Sequence, residues 1–361
     1  MKDKFFGYYR PTNEDFEAIW KNGIISIDAN VMLNLYTYSP ETATEITDLF
    51  KKVHDRLWVP HRVAEEYHRN RIKTILKESK RYSEIEKQFS GISSAFESGK
   101  AHPFISADLV KKYERLRDEI KSALTKGAKK HRGLIEDDPI CQKLSEIFTG
   151  RVGDPMEPSS LKELFETGKE RYENKIPPGY QDAKKPEPDR YGDLIIWMQL
   201  IQESSQQNKP VIFVTDDAKE DWWIIAEGRR VGPRPELRHE FRAKTGSDIY
   251  IYSTDQFLET AKTSGETISD KAVGEIEGIS QQRAHDMIER LAQDSLERMR
   301  KQKHHEMIER LTLEQWRREQ RIIEGLTLFP GAIDESGEVS SDTSEEATDS
   351  DDTSSGDADD Q

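Results

Sequence analysis

The sequence predicts an α/β fold built on a parallel sheet. Three runs of strand-forming residues carry that prediction: Ile24–Ile27, Val211–Val214 and Ile249–Tyr252. Helical patterns fill the chain between them, and strands that alternate with helices pair in parallel through crossover connections. The first two runs lead into carboxylates, Asp28 and Asp216-Asp217. Ligands of open α/β sheets bind at the carboxyl ends of the strands, so these positions are the first place to look for chemistry.

In chain order, residues 1–23 are rich in aromatics (Phe5, Phe6, Tyr8, Tyr9, Phe16, Trp20) and read as a packing lead-in to the first strand. The first six residues have neither a long apolar core nor a small-residue cleavage site, so a secretory signal is not expected there. After Asp28 an apolar segment begins at once (Val31, Met32, Leu33, Leu35, Tyr36) and predicts a helix. Asp28 or Asn30 could do no more than cap that helix, so the cap and site readings both stand at this point. Pro40 breaks the chain, a helix is expected over about 42–53, and Leu57-Trp58-Val59 is a short strand candidate ended by Pro60.

A long helix starts at His61. Val63, Glu66, Tyr67 and Asn70 fall on one of its faces, while Glu65 falls on another with Arg62 and Arg69. A carboxylate on the apolar side is costly unless it is paired or binds a metal. Glu66 is therefore the stronger site candidate of the adjacent pair, with a glutamate snorkelling at the face boundary as the alternative. Residues 72–190 read as a helical and loop insertion. Its first part is charged and amphipathic (Ile75, Leu76, Tyr82, Ile85, Phe89), with a helix start at Glu136-Asp137-Asp138-Pro139. Its second part, 151–190, is Pro- and Gly-rich around one helix near 158–172, and long loops in compact domains are often functional.

Asp193 opens the most apolar helix of the chain and shares a face with Trp197, Leu200 and Ile201. It can serve the helix dipole or project into a site. Asp221-Trp222-Trp223 is expected on a short helix after the second strand. Arg229, Arg230, Arg234, Arg238 and Arg242 form an arginine-rich patch, and residues 255–261 a closing helix.

Beyond 262 the composition changes. Residues 263–330 read as a helical extension in which His285-Asp286-Met287-Ile288-Glu289-Arg290-Leu291 recurs as His305-Glu306-Met307-Ile308-Glu309-Arg310-Leu311. Two copies are too few for a solenoid. An amphipathic hairpin or oligomerisation arm is expected, so 274–324 could meet a second copy or a partner protein. The histidines there read as a solvated helix face rather than a metal site. Residues 331–361 are Ser-, Asp-, Glu- and Thr-rich and are expected to be disordered.

The 361 residues are 34% hydrophobic and 34% charged. No run approaches the roughly 18 apolar residues of a membrane span, and with Cys141 as the only cysteine neither an internal disulfide nor a cysteine-based zinc cluster can form. A reducing cytoplasm is the expected location. The net charge of −15 sits mostly in the tail: residues 334–361 hold twelve acidic and no basic side chains, leaving −3 for the body. A near-neutral body with local basic clusters remains compatible with nucleic acid. For the tail, a solvating role is favoured over mimicry of nucleic acid at the arginine patch.

Asp28, Glu66, Asp193 and the Asp216/Asp217 pair lie at strand ends or on inward helix faces, which a parallel sheet brings toward one edge. Clustered carboxylates disfavour one another's ionisation unless a counter-charge is present. Oxygen donors without Cys or His match magnesium or manganese. Two such ions about 4 Å apart would activate water and stabilise the leaving oxygen of a phosphodiester. Basic residues including Arg69, Arg71 and Arg229 to Arg242 would hold a phosphate backbone.

These residues resemble the PIN domain nucleases, more closely the bacterial PIN-like group with helical insertions. The resemblance rests on Ile27-Asp28-Ala29-Asn30-Val31, Tyr67-His68-Arg69-Asn70-Arg71, Pro177-Pro178-Gly179-Tyr180, Tyr191-Gly192-Asp193-Leu194-Ile195-Ile196-Trp197 and the run from Val214 to Trp223, over about residues 5–262. It implies a Rossmann-like three-layer fold for residues 1–262 and metal-dependent phosphodiester cleavage. RNA is favoured over DNA as the nucleic-acid substrate, and toxin or phage-defence use is a family association. It maps the family's catalytic carboxylates onto Asp28, Glu66, Asp193 and Asp217, which would hold Mg²⁺ or Mn²⁺. Asp216 is in the variable position of the Thr-x-Asp pattern and Asp221 is an accessory ligand candidate. Asn30 and Thr215 match supporting polar positions. Arg69, Arg71, Arg229, Arg230, Arg234 and Arg238 are the candidates for nucleic-acid contact. Two alternatives stay open: a haloacid-dehalogenase-like phosphohydrolase with Asp28 as nucleophile, and a non-catalytic scaffold that keeps the fold.

Overall fold

The computed structural model describes all residues except 2, 10, 11, 98–104, 228 and 328–361, and within helices and strands it leaves some side chains undescribed, that of Arg229 among them. The expected disordered tail lies outside the described residues. The chain divides into two units, Met1–Met287 and Ile288–Gln361.

In the first unit, α1 (Asn13–Asn22) opens with a reciprocal cap between Thr12 and Asp15 and leads into β1 (Ile24–Ile27). Next come α2 (Ala29–Asn34), α3 (Pro40–Lys52) and the 37-residue α4 (His61–Glu97). The insertion adds α5 (Ala107–Gly133), α6 (Pro139–Ile147) and α7 (Pro158–Glu173). The chain returns through α8 (Gly192–Gln207), β2 (Val211–Val214), β3 (Trp223–Ala226), β4 (Arg229–Pro233), α9 (Pro235–Thr245), β5 (Ile249–Tyr252) and α10 (Thr254–Thr263). Helix α11 (Asp270–Thr327) continues into the second unit.

The three expected strands form a parallel sheet in the order β1-β2-β5, in register Ile24–Val211–Ile249 through Ile27–Val214–Tyr252. All four residues of β1 and of β2 are buried. A central parallel strand covered on both faces reads as an unbroken apolar run, which is why Val211-Ile212-Phe213-Val214 shows no alternation. The C-terminal ends of the strands are stitched together. The Asp28 amide donates to the Val214 carbonyl, and the Thr215 amide to that of Tyr252, both at 2.9 Å.

The expected strand at Leu57-Trp58-Val59 is present only as isolated bridges, Ile25 with Leu57 and Val59 with Val152. The short helix expected at Asp221-Trp222-Trp223 is a turn that leads into β3, which pairs with β4 as a separate antiparallel hairpin. Ile224, Ile225 and Val231 of that hairpin are exposed, so it carries little of the buried apolar pattern that marks a strand.

In the insertion, α5 packs along α4. Asp138, 6% exposed, accepts from the Tyr36 hydroxyl at 2.7 Å, the Arg71 guanidinium at 2.6 Å and the Cys141 amide at 2.9 Å. This satisfied polar knot ties α4 and α6 to the segment after α2. The first turns of α11 pack on the same unit. Ala272, Val273 and Ile276 are buried, and Glu275 accepts from the Ser39 amide and the Ser39 and Thr42 hydroxyls. The boundary expected at 262 thus precedes residues that still belong to this compact unit.

The second unit is helical through Thr327 and exposes Leu296, Met299, Met307, Ile308, Leu311, Leu313 and Trp316. His305 lies 3.3 Å from Glu309, one helical turn along the surface. Among the described residues, no helix is long and apolar enough to cross a membrane.

Candidate metal centre

Asp28 follows β1 and is also the N-cap of α2. One of its oxygens accepts from the Ala29 amide at 2.7 Å, and the other from the Thr215 hydroxyl at 2.6 Å and the Asn30 amide. The cap and site readings are therefore compatible, because one oxygen serves the helix and the other faces the end of β2. Asn30 completes the clamp: its carbonyl oxygen accepts from the Asp216 amide at 2.9 Å, and its amide donates to the Thr215 hydroxyl at 3.1 Å. Burial raises the Asp28 carboxyl well above the usual carboxylate range. The nearby charges of Glu66, Asp193 and Asp217 push the same way, while the Thr215 hydrogen bond opposes them.

Helix α4 packs against both α2 and α8, which carries Glu66 toward Asp28 and Asp193. Glu66 is half-buried whereas Glu65 is exposed and pairs with Arg62, as their positions on the helix predict. Glu66 itself makes no hydrogen bond or ion pair among the described residues. Burial raises its pKa, against the opposing charges of Arg62, Lys185 and Lys219.

Asp193 sits in the first turn of α8 and Asp217 follows β2. Between them stands Lys219, which the sequence reading missed. Its ammonium lies 2.8 Å from Asp217, 3.0 Å from Asp182 and 3.2 Å from Asp193. Asp182, 9% exposed, is also new to the site and comes from the Pro-rich insertion loop. Burial, with Asp217, Asp182 and Asp221 adding to it, pushes the Asp193 carboxyl up to about 7 in spite of the ammonium beside it. Burial alone would lower the Lys219 pKa, but Asp193 and Asp217 outweigh that and hold the lysine charged.

Asp221 is fully buried and accepts the Gly179 and Gln181 amides at 2.9 and 3.1 Å. It thereby holds the loop that delivers Asp182. Gly179 is required in that loop, since its φ is +97° and an added Cβ would stand 2.3 Å from the Tyr172 hydroxyl and 3.3 Å from Asp193. We expect Gly179→Ala to cost about 1–3 kcal/mol in urea unfolding, with the loss traceable to this loop by faster hydrogen exchange at the Gln181 amide.

Asp216 takes a different role from Asp217. Its two oxygens accept from the Thr254 amide and hydroxyl and from Asn34, at 3.0, 2.9 and 2.6 Å. These bonds make it an anchor between α2 and α10, and any metal-binding role it has is shared with them.

A family described as PIN like domain matches residues 24–237, more than half of the chain. The chain belongs to the PIN-like domain family. No curated protein and no solved structure matches it significantly. PIN-like domains are often nucleases and often bind metal.

Among the described residues, no group of three or more His, Cys, Asp or Glu side chains is arranged to hold an ion. In this PIN-like domain the carboxylates are gathered around the Lys219 ammonium instead. The donor chemistry nevertheless fits a hard divalent cation. Glu66 is unpartnered, the buried Asp221 Oδ1 has no hydrogen-bond partner, and the carboxylates outnumber the one ammonium in their midst.

The arginine candidates separate by environment. Arg69, about half exposed, pairs with Asp189 at 2.8 Å, and Arg234 bonds Glu236, the Tyr180 hydroxyl and the Glu220 carbonyl. Both reach the loop that carries Asp182. Arg71 is committed to Asp138. Arg230 stacks on Trp223 and donates to Ser280. Arg238, 7% exposed, donates to the Phe6 and Tyr9 carbonyls and lies over the rings of Phe6 and Tyr250. It ties down the N-terminal segment and, so buried, exposes little of its guanidinium to a phosphate. The side chain of Arg229 lies outside the described residues.

Proposed function

We propose that this PIN-like domain is a divalent-metal-dependent nuclease acting on RNA in preference to DNA, as an endonuclease. The observation that carries the proposal is the convergence of Asp28, Glu66, Asp193 and Asp217 from four separate elements of the fold, close enough for each to bear on the charge of its neighbours. Mg²⁺ or Mn²⁺ bound by these carboxylates would supply Lewis acidity and lower the pKa of water. Asp28 is oriented for that role by Thr215 and Asn30, and Asp193 by its place in the first turn of α8. Glu66 offers a carboxylate free of protein partners. Asp221 keeps the 177–182 loop against the site. Arg69, paired with Asp189, and Arg234, bonded to Tyr180 of that loop, would hold phosphate.

A phosphohydrolase with Asp28 as covalent nucleophile is less well supported. Both Asp28 oxygens already accept hydrogen bonds from Ala29, Thr215 and Asn30, and Lys219 pairs with the other carboxylates. Contacts of the helix beyond 287 with a second copy or a partner protein remain a proposal resting on its exposed apolar residues, as does the family's toxin or phage-defence setting.

The test is incubation of the purified protein with a panel of labelled RNAs and DNAs in Mn²⁺, in Mg²⁺ and in excess EDTA. We expect internal cuts in RNA that EDTA abolishes. Cleavage that survives EDTA, or a phosphate label retained covalently on the protein, would refute the nuclease reading.

A further inference from the structure

Among the described residues, Lys219 is the only cation in direct contact with Asp182, Asp193 and Asp217 together, and its ammonium fills the space between the Asp193 and Asp217 carboxylates. A buried ammonium among carboxylates replaces the lost hydration of each by a charge-assisted bond. The contacts are close on every side, and the backbone reinforces them: the Lys219 amide donates to Asp217 at 3.0 Å, and Trp222 and Trp223 donate to the Lys219 carbonyl at 3.2 Å. The lysine backbone is therefore held, and any displacement of the ammonium has to come from its side-chain torsions. Asp182 has an alternative partner within reach, Lys185 at 2.8 Å, so the loop carboxylate stays paired if Lys219 leaves.

We infer that Lys219 is a built-in counter-ion of the carboxylate cluster that competes with the divalent ion for Asp193 and Asp217 and swings out of the cluster when the ion binds. The inference rests on the metal-dependent reading above. It accounts for the cluster being organised without a ligating arrangement: the lysine holds the carboxylates near one another before an ion arrives, and its charge opposes entry of the ion. A lysine that only buttressed the fold would leave ion affinity untouched, and one that helped bind the ion's ligand sphere would strengthen it.

The experiment is calorimetric titration of Mn²⁺ into the full-length wild type, Lys219→Gln and Lys219→Met, with thermal unfolding of each in EDTA. Removing a competing charge in contact with two ligands is expected to tighten Mn²⁺ binding by about tenfold or more, while lowering the unfolding temperature of the metal-free protein. Unchanged or weaker Mn²⁺ binding in the folded variants would overturn the inference. A second measurement needs no variant. In wild type labelled with ¹⁵N at lysine Nζ, saturating Mg²⁺ should shift the Lys219 ammonium signal and speed its solvent exchange, and an unmoved, protected signal would equally overturn it. The two levels of claim fail separately. Tighter binding in the variants with no nucleic acid cut by wild type leaves this inference standing and removes the nuclease reading; metal-dependent cutting with unaltered affinity does the reverse.

Discussion

Asp28→Asn and Asp193→Asn are each expected to abolish metal-dependent cleavage while leaving the protein folded. Either substitution keeps the side chain's size, and Asn at 28 can still accept the Ala29 amide that caps α2. What is lost is one charged oxygen, which at position 28 is also the acceptor of the Thr215 and Asn30 hydrogen bonds. Loss of an outer partner of a metal ligand typically costs 10–100-fold, so loss of a ligand itself should exceed that and reach about a thousandfold. The readout is the cleavage rate of a labelled RNA in Mn²⁺, beside circular dichroism and unfolding temperature. Burial and neighbouring carboxylates raise both groups, so neutralising them relieves repulsion and the unfolding temperature should not fall by more than a few degrees. Asp216→Asn is the informative contrast. Asp216 anchors Thr254 and Asn34, so this variant should lose stability before it loses chemistry.

The second large effect is on stability. Trp197→Ala is expected to cost about 3–5 kcal/mol in urea unfolding. Trp197 is wholly buried in α8, packs edge-on against Trp222 at 6.1 Å and beside Phe241 at 5.6 Å, and donates its ring N–H to Glu240 at 2.9 Å. Glu240 in turn takes both Arg171 guanidinium nitrogens, at 2.6 and 2.8 Å. The alanine variant thus opens a cavity and removes a donor from a half-desolvated carboxylate. Trp197→Phe keeps most of the volume and should cost about 1–3 kcal/mol, mainly for the lost hydrogen bond to the charged Glu240, which keeps its Arg171 partner. A cost below about 1 kcal/mol for the alanine variant would contradict the tight packing of Trp197 against Trp222 and Phe241. Because α8 carries Asp193, Trp197→Ala should weaken Mn²⁺ binding as well.

What the sequence allowed one to read follows from which signals are local. The strands β1, β2 and β5 were legible because a buried parallel strand is an unbroken apolar run. The preference for Glu66 over Glu65 was legible because helical periodicity alone puts one on the buried face and the other beside Arg62. Lys219 was not legible. A lysine in a loop reads as solvated, and its burial depends on Asp182, brought in by a loop folded back from a distant part of the chain. The strand end alone did not separate Asp216 from Asp217, since it does not say which of two adjacent carboxylates turns toward Thr254; only the Thr-x-Asp pattern of the resemblance set them apart. Arg238 looked like a phosphate contact because only the N-terminal segment, far away in sequence, reveals that its guanidinium is buried against the Phe6 and Tyr9 carbonyls. The β3–β4 hairpin escaped because Ile224, Ile225 and Val231 are exposed, which leaves Trp223 as its one buried aromatic.

The central claim is that the carboxylates around Lys219 hold a divalent ion. Its most direct test is a crystal grown with Mn²⁺ and measured for anomalous scattering. A peak is expected at oxygen-ligand distance, roughly 2.0–2.2 Å, from Asp193 and Asp217, within the reach of Asp28 and Glu66, and with Lys219 moved aside. A saturating soak that leaves the Lys219 ammonium in place and puts no peak among these carboxylates would contradict it.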